Sequence, residues 1–139
     1  MITPPPYVPP VHTVVELLRW RAAHQPDRVG YTFLPSGEPA PAVDHTYGAL
    51  DRRSRAVAAW LQARGSVGDR VLMLFEEGLD YLDALFGCMY AARLAVPVHP
   101  PDPKRLQRTL PRLLGIAASP ASTARSAVGS CAGSMSLKR

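Results

Sequence analysis

The chain has 139 residues, of which 47% are hydrophobic and 19% are charged, proportions typical of one folded domain. No uncharged apolar run approaches the roughly 20 residues of a transmembrane helix, and the start of the chain lacks the features of a secretory signal. Two cysteines make no disulfide framework, so a cytoplasmic location is expected. The net charge of +5 comes mostly from arginines dispersed near acids rather than from a concentrated stripe, which argues against a nucleic-acid partner.

The beginning of the chain predicts an extended arm and then a helix. Residues 1–12 are too rich in proline for a helix or a central strand. Thr13 and Glu16 have the spacing of a capping box, in which each side chain satisfies a backbone donor of the other residue. Apolar residues then recur at helical spacing, which predicts a helix over 13–24 that ends before Pro26.

A β-hairpin and a second helix are predicted next. Alternating residues over 29–34 and 42–46 indicate two strands joined by a turn. Thr46 is expected to cap the second helix, and Gly65 is expected to end it in a left-handed conformation. The apolar face of this helix is predicted to contain Leu50, Ser54, Val57, Ala58 and Leu61.

The centre of the chain predicts a strand, a helix and a second strand in parallel. Arg70 to Phe75 is a nearly continuous apolar run, typical of a strand buried on both faces. Leu79 to Arg93 is expected to be an apolar helix, and Leu94 to Val98 the next strand, with a right-handed crossover. Arg93, near the buried helix end, is expected to cost packing energy. The residues predicted to face inward on this helix are Leu82, Leu85, Phe86, Met89 and Tyr90.

The pattern weakens toward the end of the chain. Residues 99–103 read as a stiff proline-rich connector, and a fourth helix is predicted over 104–117, weakened in its middle by Pro111. Residues 118–139 have 13 Ala, Ser or Gly among 22 positions and no period, which predicts a disordered tail.

Three stretches of the chain resemble a known family. They are TVVELLRWRAAHQPDRVGYTFL (13–34), TYGALDRRSRAVAAWLQARGSVGDRVLMLF (46–75) and GLDYLDALFGCMYAARLAVPVHPPDPKRLQRTLPRLLGIA (78–117). They closely resemble the start of fatty-acyl-AMP ligases, which belong to the adenylate-forming superfamily of AMP-dependent synthetases and ligases. The resemblance covers about three-quarters of the chain. It implies an α/β fold for 13–117, namely the incomplete first layer of a large N-terminal domain, with a βαβ unit, a parallel sheet and a short hairpin.

The resemblance also implies a function. Members of this family use ATP and Mg²⁺ to convert a fatty acid into an acyl-adenylate and pass the acyl group to an acyl carrier protein, often for lipid, polyketide or peptide synthases. The chemistry requires backbone amides and a cation around the phosphates. The family's phosphate loop, ribose and metal ligands and late lysine are absent from this sequence. No catalytic, cofactor-binding or metal residue is therefore assigned here, and the fragment is expected to be inactive alone and to bind neither ATP nor Mg²⁺.

Two further expectations concern what such a fragment is. One is a non-catalytic interaction fragment that docks on a carrier protein or on the rest of a split enzyme. The other follows from the composition change after Ala117, which is typical of GC-rich DNA read out of frame and predicts a frameshifted or truncated gene.

Several residue groups could be assigned phosphate-binding, catalytic, metal-binding or docking roles, but the sequence favours structural or surface roles for them. Lys138 ends a small-residue string, 129–138, that imitates a phosphate loop but has no strand before it and no helix after it. Asp80 and Asp83 are interpreted as acids that complement the helix dipole rather than as an acid–base pair. Trp20 and Trp60 are expected to pack in the core. Structural or surface roles are favoured over metal binding for His12, His24, His45, His99, Cys88 and Cys131, and a solvated face over a docking surface for Lys104, Arg105, Arg108 and Arg112.

Overall fold

The structure is a computed structural model that describes residues 10–39, 41–76 and 78–100. It also describes the isolated positions 107, 110–111 and 114–115 and the backbone of 126–129. The elements in chain order are α1 (Val14–His24), β1 (Val29–Phe33), β2 (Val43–Thr46), α2 (Tyr47–Gln62), β3 (Arg70–Leu74), α3 (Leu79–Tyr90), β4 (Leu94–Val98) and β5 (Ser126–Gly129). None of the described helices is long and apolar enough to cross a membrane.

Helix α1 begins as its capping box predicts. The Thr13 hydroxyl accepts the backbone N–H of Glu16 at 3.1 Å, and the Glu16 carboxylate accepts the backbone N–H of Thr13 at 3.2 Å. The same carboxylate accepts the backbone N–H of His12, and this hydrogen bond is the main reason that the pKa of Glu16 is lowered. These contacts fix the start of the helix and place Leu18 in the core.

The predicted hairpin forms, and it leads directly into α2. Strands β1 and β2 pair antiparallel, with Tyr31 opposite His45 and Phe33 opposite Val43. The Thr46 hydroxyl then accepts the backbone N–H of Ala49 and caps α2. Because no residue separates β2 from α2, the orientation of the hairpin follows from the start of this helix.

The end of α2 corrects one prediction. The helix ends at Gln62, and Gly65 is not among the glycines with a left-handed backbone. Gly65 is instead required by space, because a Cβ at this position would lie 2.6 Å from the guanidinium of Arg93 and 2.6 Å from the carboxylate of Asp69.

The centre of the chain forms the predicted βαβ unit. Strands β3 and β4 are parallel, from Arg70 beside Leu94 to Leu74 beside Val98, and α3 connects them. In the sheet order β4-β3-β5, β4 is an outer strand, where Pro97 is tolerated because a strand edge does not need its missing N–H. Helix α3 ends at Tyr90, three residues before the predicted end.

The tail differs from its prediction at one place. Strand β5 lies within 118–139 and pairs parallel with β3, with Ser126 beside Val71 and Gly129 beside Leu74. The prediction of disorder is wrong for these four residues. Their strand depends on backbone pairing with β3, for which the sequence of the tail carries no periodic signal. The rest of the tail lies outside the described residues, as does the arm over 1–9.

The core lies between α2, α3 and the parallel sheet. Its main cluster contains the buried residues Ala58, Leu61, Val71, Met73, Ala84, Cys88 and Ala91, and a smaller cluster joins Leu18 of α1 to Leu50 and Phe86. Gly87 allows α2 and α3 to approach closely, since a Cβ there would lie 2.5 Å from Val57. Small residues on α3 therefore face α2. Met89 is 39% exposed, so its predicted inward position is wrong.

Candidate functional site

A cleft of about 340 Å³ lies between the hairpin, the end of β3 and the beginning of α3. Phe33, Val43 and Phe75 form apolar walls, while Arg53 and Asp80 are among its polar lining residues. The cleft lies at the carboxyl end of β3, the edge at which α/β sheets usually bind ligands. This position makes it the candidate functional site among the described residues.

A buried hydrogen-bonded pair of side chains lies where the hairpin meets α3. His45 Nε2 is 2.8 Å from Asp83 Oδ1, and the two side chains are 5% and 4% exposed. Arg53, from α2, lies 3.4 Å from the other Asp83 oxygen and 3.8 Å from Asp80, and its own side chain is half exposed. Three elements, β2, α2 and α3, therefore meet at Asp83.

Burial dominates the electrostatics of Asp83. Desolvation raises the pKa of this carboxyl group, and the hydrogen bond from His45 and the charges of His45 and Arg53 offset only part of the effect. The interpretation of Asp83 as an acid that complements the helix dipole in the first turn is wrong, because Asp83 lies beyond the first turn and is buried. Asp80 does lie in the first turn and is half exposed, as that interpretation expects.

The chemistry available at the cleft is proton binding and hydrogen bonding. Within 10–39, 41–76 and 78–100, no group of three His, Cys, Asp or Glu residues is placed to hold a metal ion. Cys88 is buried, and desolvation raises the pKa of its thiol to about 11, so it is unsuited to act as a nucleophile near neutral pH. Nucleophilic catalysis also needs a nucleophile beside the base, and the described hydrogen bonds of His45 include none.

A second polar network joins the three helices. The Tyr90 hydroxyl donates to Asp51 Oδ1 at 2.7 Å, and Arg55 donates to Asp51 Oδ2 at 2.7 Å. The guanidiniums of Arg19, on α1, and Arg55 lie 5.5 and 5.9 Å from the centre of the Tyr90 ring. Burial and the nearby Asp51 raise the pKa of Tyr90 far above its ordinary value.

A third network closes the turn after α2. Arg93 donates to Asp69 Oδ2 at 2.9 Å and to the backbone carbonyl of Leu61 at 2.8 Å, and its side chain is 1% exposed. Asp69 also accepts the backbone N–H of Ser66. These hydrogen bonds thus offset much of the predicted packing cost of Arg93. The remaining cost comes from its Nε, which is buried without a hydrogen-bond partner.

The remaining candidate residues lie apart from the cleft. His24 stacks on Trp20 with ring centres 4.5 Å apart, and His99 is exposed. Trp60 packs against the main core cluster, as predicted, and Arg64 lies over its ring. The predictions for Cys131, Lys138, and the basic edge of Lys104, Arg105, Arg108 and Arg112 fall outside the described residues.

Comparison with known proteins identifies the family. Residues 18–111 match the family described as AMP-binding enzyme. The chain belongs to the AMP-binding enzyme family. Its α/β fold matches the N-terminal domain of adenylate-forming enzymes, with a short parallel sheet and an antiparallel hairpin, as the sequence resemblance implies.

Relatives of this AMP-binding chain include fatty-acid ligases. It is 44% identical over 108 residues to the medium-chain-fatty-acid–[acyl-carrier-protein] ligase JamA of Moorena producens, a match to 78% of this chain and 18% of JamA. It is 40% identical over 100 residues to Disco-interacting protein 2 of Drosophila melanogaster, and this match covers 70% of this chain and 6% of that protein. The fatty acyl-adenylate ligase of Legionella pneumophila, solved with acyl adenylate and pyrophosphate, matches 72% of this chain and 17% of its own, with 40% identity and a TM-score of 0.63.

The family implies ATP, but the residues that line the cleft do not fit it. The cleft is lined by three carboxylates, those of Asp44, Glu76 and Asp80, which repel a triphosphate. Its arginine, Arg53, already faces Asp80 and Asp83. The chain spans about a fifth of the length of JamA, so the described part of this family member does not by itself show where ATP binds.

Proposed function

We propose that this chain is part of a fatty-acyl-AMP ligase and forms the first structural layer of its N-terminal domain, over 13–117. In this proposal the enzyme activates a fatty acid with ATP and Mg²⁺ to an acyl-adenylate and passes the acyl group to an acyl carrier protein for lipid or polyketide synthesis, in the cytoplasm. The identity to a ligase named for medium-chain fatty acids and acyl carrier protein carries the proposal.

In this proposal the chain is inactive alone, and its role is to scaffold the rest of the domain. The absence of phosphate-binding chemistry in the cleft supports this division, because carboxylates line it and its arginine is paired. The three buried polar networks support it as well, since each joins elements that are far apart in the chain. They stabilise packing without presenting a reactive group.

A chimera tests both parts of the proposal. Residues 13–117 replace the matching segment of JamA, and fatty-acid-dependent ATP–pyrophosphate exchange is measured for the chimera and for the 139-residue chain alone. The chimera is expected to exchange, and the chain alone is not. A matched chimera with Gly87→Val, which forces a side chain into Val57, is expected to lose exchange. Exchange by the chain alone would refute the inactivity, and a folded chimera without exchange would refute the ligase assignment.

An interaction role is the second candidate function. One relative, 40% identical over 100 residues, is named for an interaction with another protein, Disco-interacting protein 2. In this version the chain docks on a carrier protein or on the rest of a split enzyme. Capture of the 139-residue chain by purified acyl carrier protein, or by JamA lacking the matching segment, is the expected result. Failure of both captures with folded chain would exclude it.

A further inference from the structure

The hairpin is attached to the helices at two separate places. At its base, Tyr47 donates its backbone N–H to the Arg28 carbonyl at 3.0 Å, and Gly48 donates to the Pro26 carbonyl at 2.9 Å. Gly30 lies against the Tyr47 ring so closely that a Cβ would be 2.8 Å from it. These base contacts are backbone hydrogen bonds and ring packing, and neither hydrogen bond involves an ionisable side chain.

The second attachment is the His45–Asp83 pair, and it is of a different kind. It joins residues 38 positions apart through two side chains that are almost completely buried. Tyr31 and Phe33 lie opposite His45 and Val43 in the hairpin register, and Phe33, Val43 and His45 all line the cleft. The part of the hairpin that covers the cleft is therefore the part that this pair holds.

We propose that the His45–Asp83 pair is a proton-dependent latch that holds the β1–β2 hairpin closed over the cleft. While the Asp83 carboxyl group holds its proton, it is neutral in its buried position. When that proton leaves, a carboxylate remains buried, which costs desolvation energy. The latch therefore weakens as the pH rises.

The other charged groups around the latch modify this response without replacing it. Arg53 of α2 is the nearest cation, but it is half exposed and lies 3.4 Å from Asp83, so solvent screens part of its charge. Asp80 of α3, Asp44 of β2 and Glu76 after β3 line the same cleft and add negative potential.

The sign follows from the buried carboxyl group. Burial raises the pKa of Asp83 in the closed state above its ordinary value. A group whose pKa is higher in the closed state stabilises that state at low pH, and the contribution is lost as the pH rises through the raised pKa. Each unit by which the closed-state pKa exceeds the open-state pKa changes the closed-to-open ratio by about tenfold.

Amide hydrogen exchange of the 139-residue chain tests the latch. Exchange is measured between about pH 4 and pH 8, a range that extends above the ordinary carboxyl pKa. The rates are corrected for the intrinsic exchange rate at each pH. The observable is the protection of peptides from 29–46 relative to peptides from α2 in the same molecule. Wild-type hairpin protection is expected to fall with rising pH, by about tenfold for each unit by which burial raises the pKa of Asp83, while α2 protection stays level.

Two variants separate the latch from general effects of charge. Asp83→Asn keeps an oxygen within reach of His45 but does not titrate, so its relative hairpin protection is expected to be independent of pH. Asp69→Asn, at the other buried ion pair, is expected to keep the wild-type pH response. A level wild-type profile overturns the proposal, and so does an Asp83→Asn profile with the wild-type slope. If Asp83→Asn does not fold, the wild-type profile and the Asp69→Asn profile decide.

Discussion

Replacing Arg93 with Met tests whether the buried guanidinium stabilises the turn after α2. Methionine keeps most of the apolar stem but removes the hydrogen bonds to Asp69 and to the Leu61 carbonyl, which are 2.9 and 2.8 Å long. Removing one partner of a buried pair costs about 3–5 kcal/mol. The Asp69 side chain is 17% exposed and so retains some solvation, which favours the lower end.

One part of the change acts in the opposite direction. Arg93 Nε is buried without a hydrogen-bond partner, and an unsatisfied buried donor costs about 1–3 kcal/mol. Methionine removes that atom. With about 3–4 kcal/mol for the lost partner and about 1–2 kcal/mol regained with the removed atom, the expected net loss for Arg93→Met is about 1–3 kcal/mol in the free energy of unfolding. Arg93→Lys is expected to fall between wild type and Arg93→Met, because an ammonium group lacks the planar fork that reaches both acceptors.

The assay is urea unfolding followed by far-ultraviolet circular dichroism. Arg64→Met is the matched control, since Arg64 is exposed, lies 4.3 Å from the Trp60 ring centre and donates to the Trp60 carbonyl. Such an exposed contact contributes less than about 1 kcal/mol. If Arg93→Met loses no more stability than Arg64→Met, the reasoning about the buried pair is refuted.

Three other substitutions probe the same helix ends. Tyr90→Phe removes the hydroxyl that donates to Asp51 and is expected to cost about 1.5–3 kcal/mol by urea unfolding. Because the pKa of Tyr90 is raised, wild type should lose more stability than this variant as the pH rises above about 10, and parallel alkaline profiles would contradict this. Gly65→Ala places a Cβ against Arg93 and is expected to cost about 1–3 kcal/mol, so an unchanged unfolding midpoint would contradict the packing argument. Ala92 has a φ of 54°, and Ala92→Gly is expected to stabilise the chain by about 1 kcal/mol, whereas a lower thermal midpoint would count against strain there.

The local elements follow from the sequence because their signals are local. The capping box of Thr13 and Glu16 sets the first residue of α1, and Thr46 sets the first residue of α2. The apolar run over 70–74 and the strand over 94–98 are separated by a helical period, which is sufficient to predict a parallel βαβ unit. These signals lie within a few residues of the features that they determine.

The polar contacts between elements have no comparable local signal. His45 and Asp83 are 38 positions apart, and Tyr90 and Asp51 are 39 positions apart. Nothing in the residues around Asp83 distinguishes it from Asp80, which has the same side chain at helical spacing. Only the approach of the hairpin to α3 buries one and leaves the other half exposed. The prediction for Met89 fails similarly, because helical period alone does not say that α2 packs against the small residues beside it.

The three polar networks together explain how a modest core specifies one arrangement. The main core cluster contains three alanines and a cysteine among seven buried residues, so several packings of α2 on α3 would bury similar area. Each network satisfies its hydrogen bonds in one register only: Asp83 with His45, Asp51 with Tyr90, and Arg93 with the Leu61 carbonyl. A shift of α3 by one turn would leave buried polar groups without partners. The free energy lost in this way would exceed the difference in apolar packing between the two registers. Of the three, the His45–Asp83 pair also joins the hairpin to the helices, and burial raises the pKa of its carboxyl group, so the contact that specifies the fold there is also the contact whose strength depends on pH.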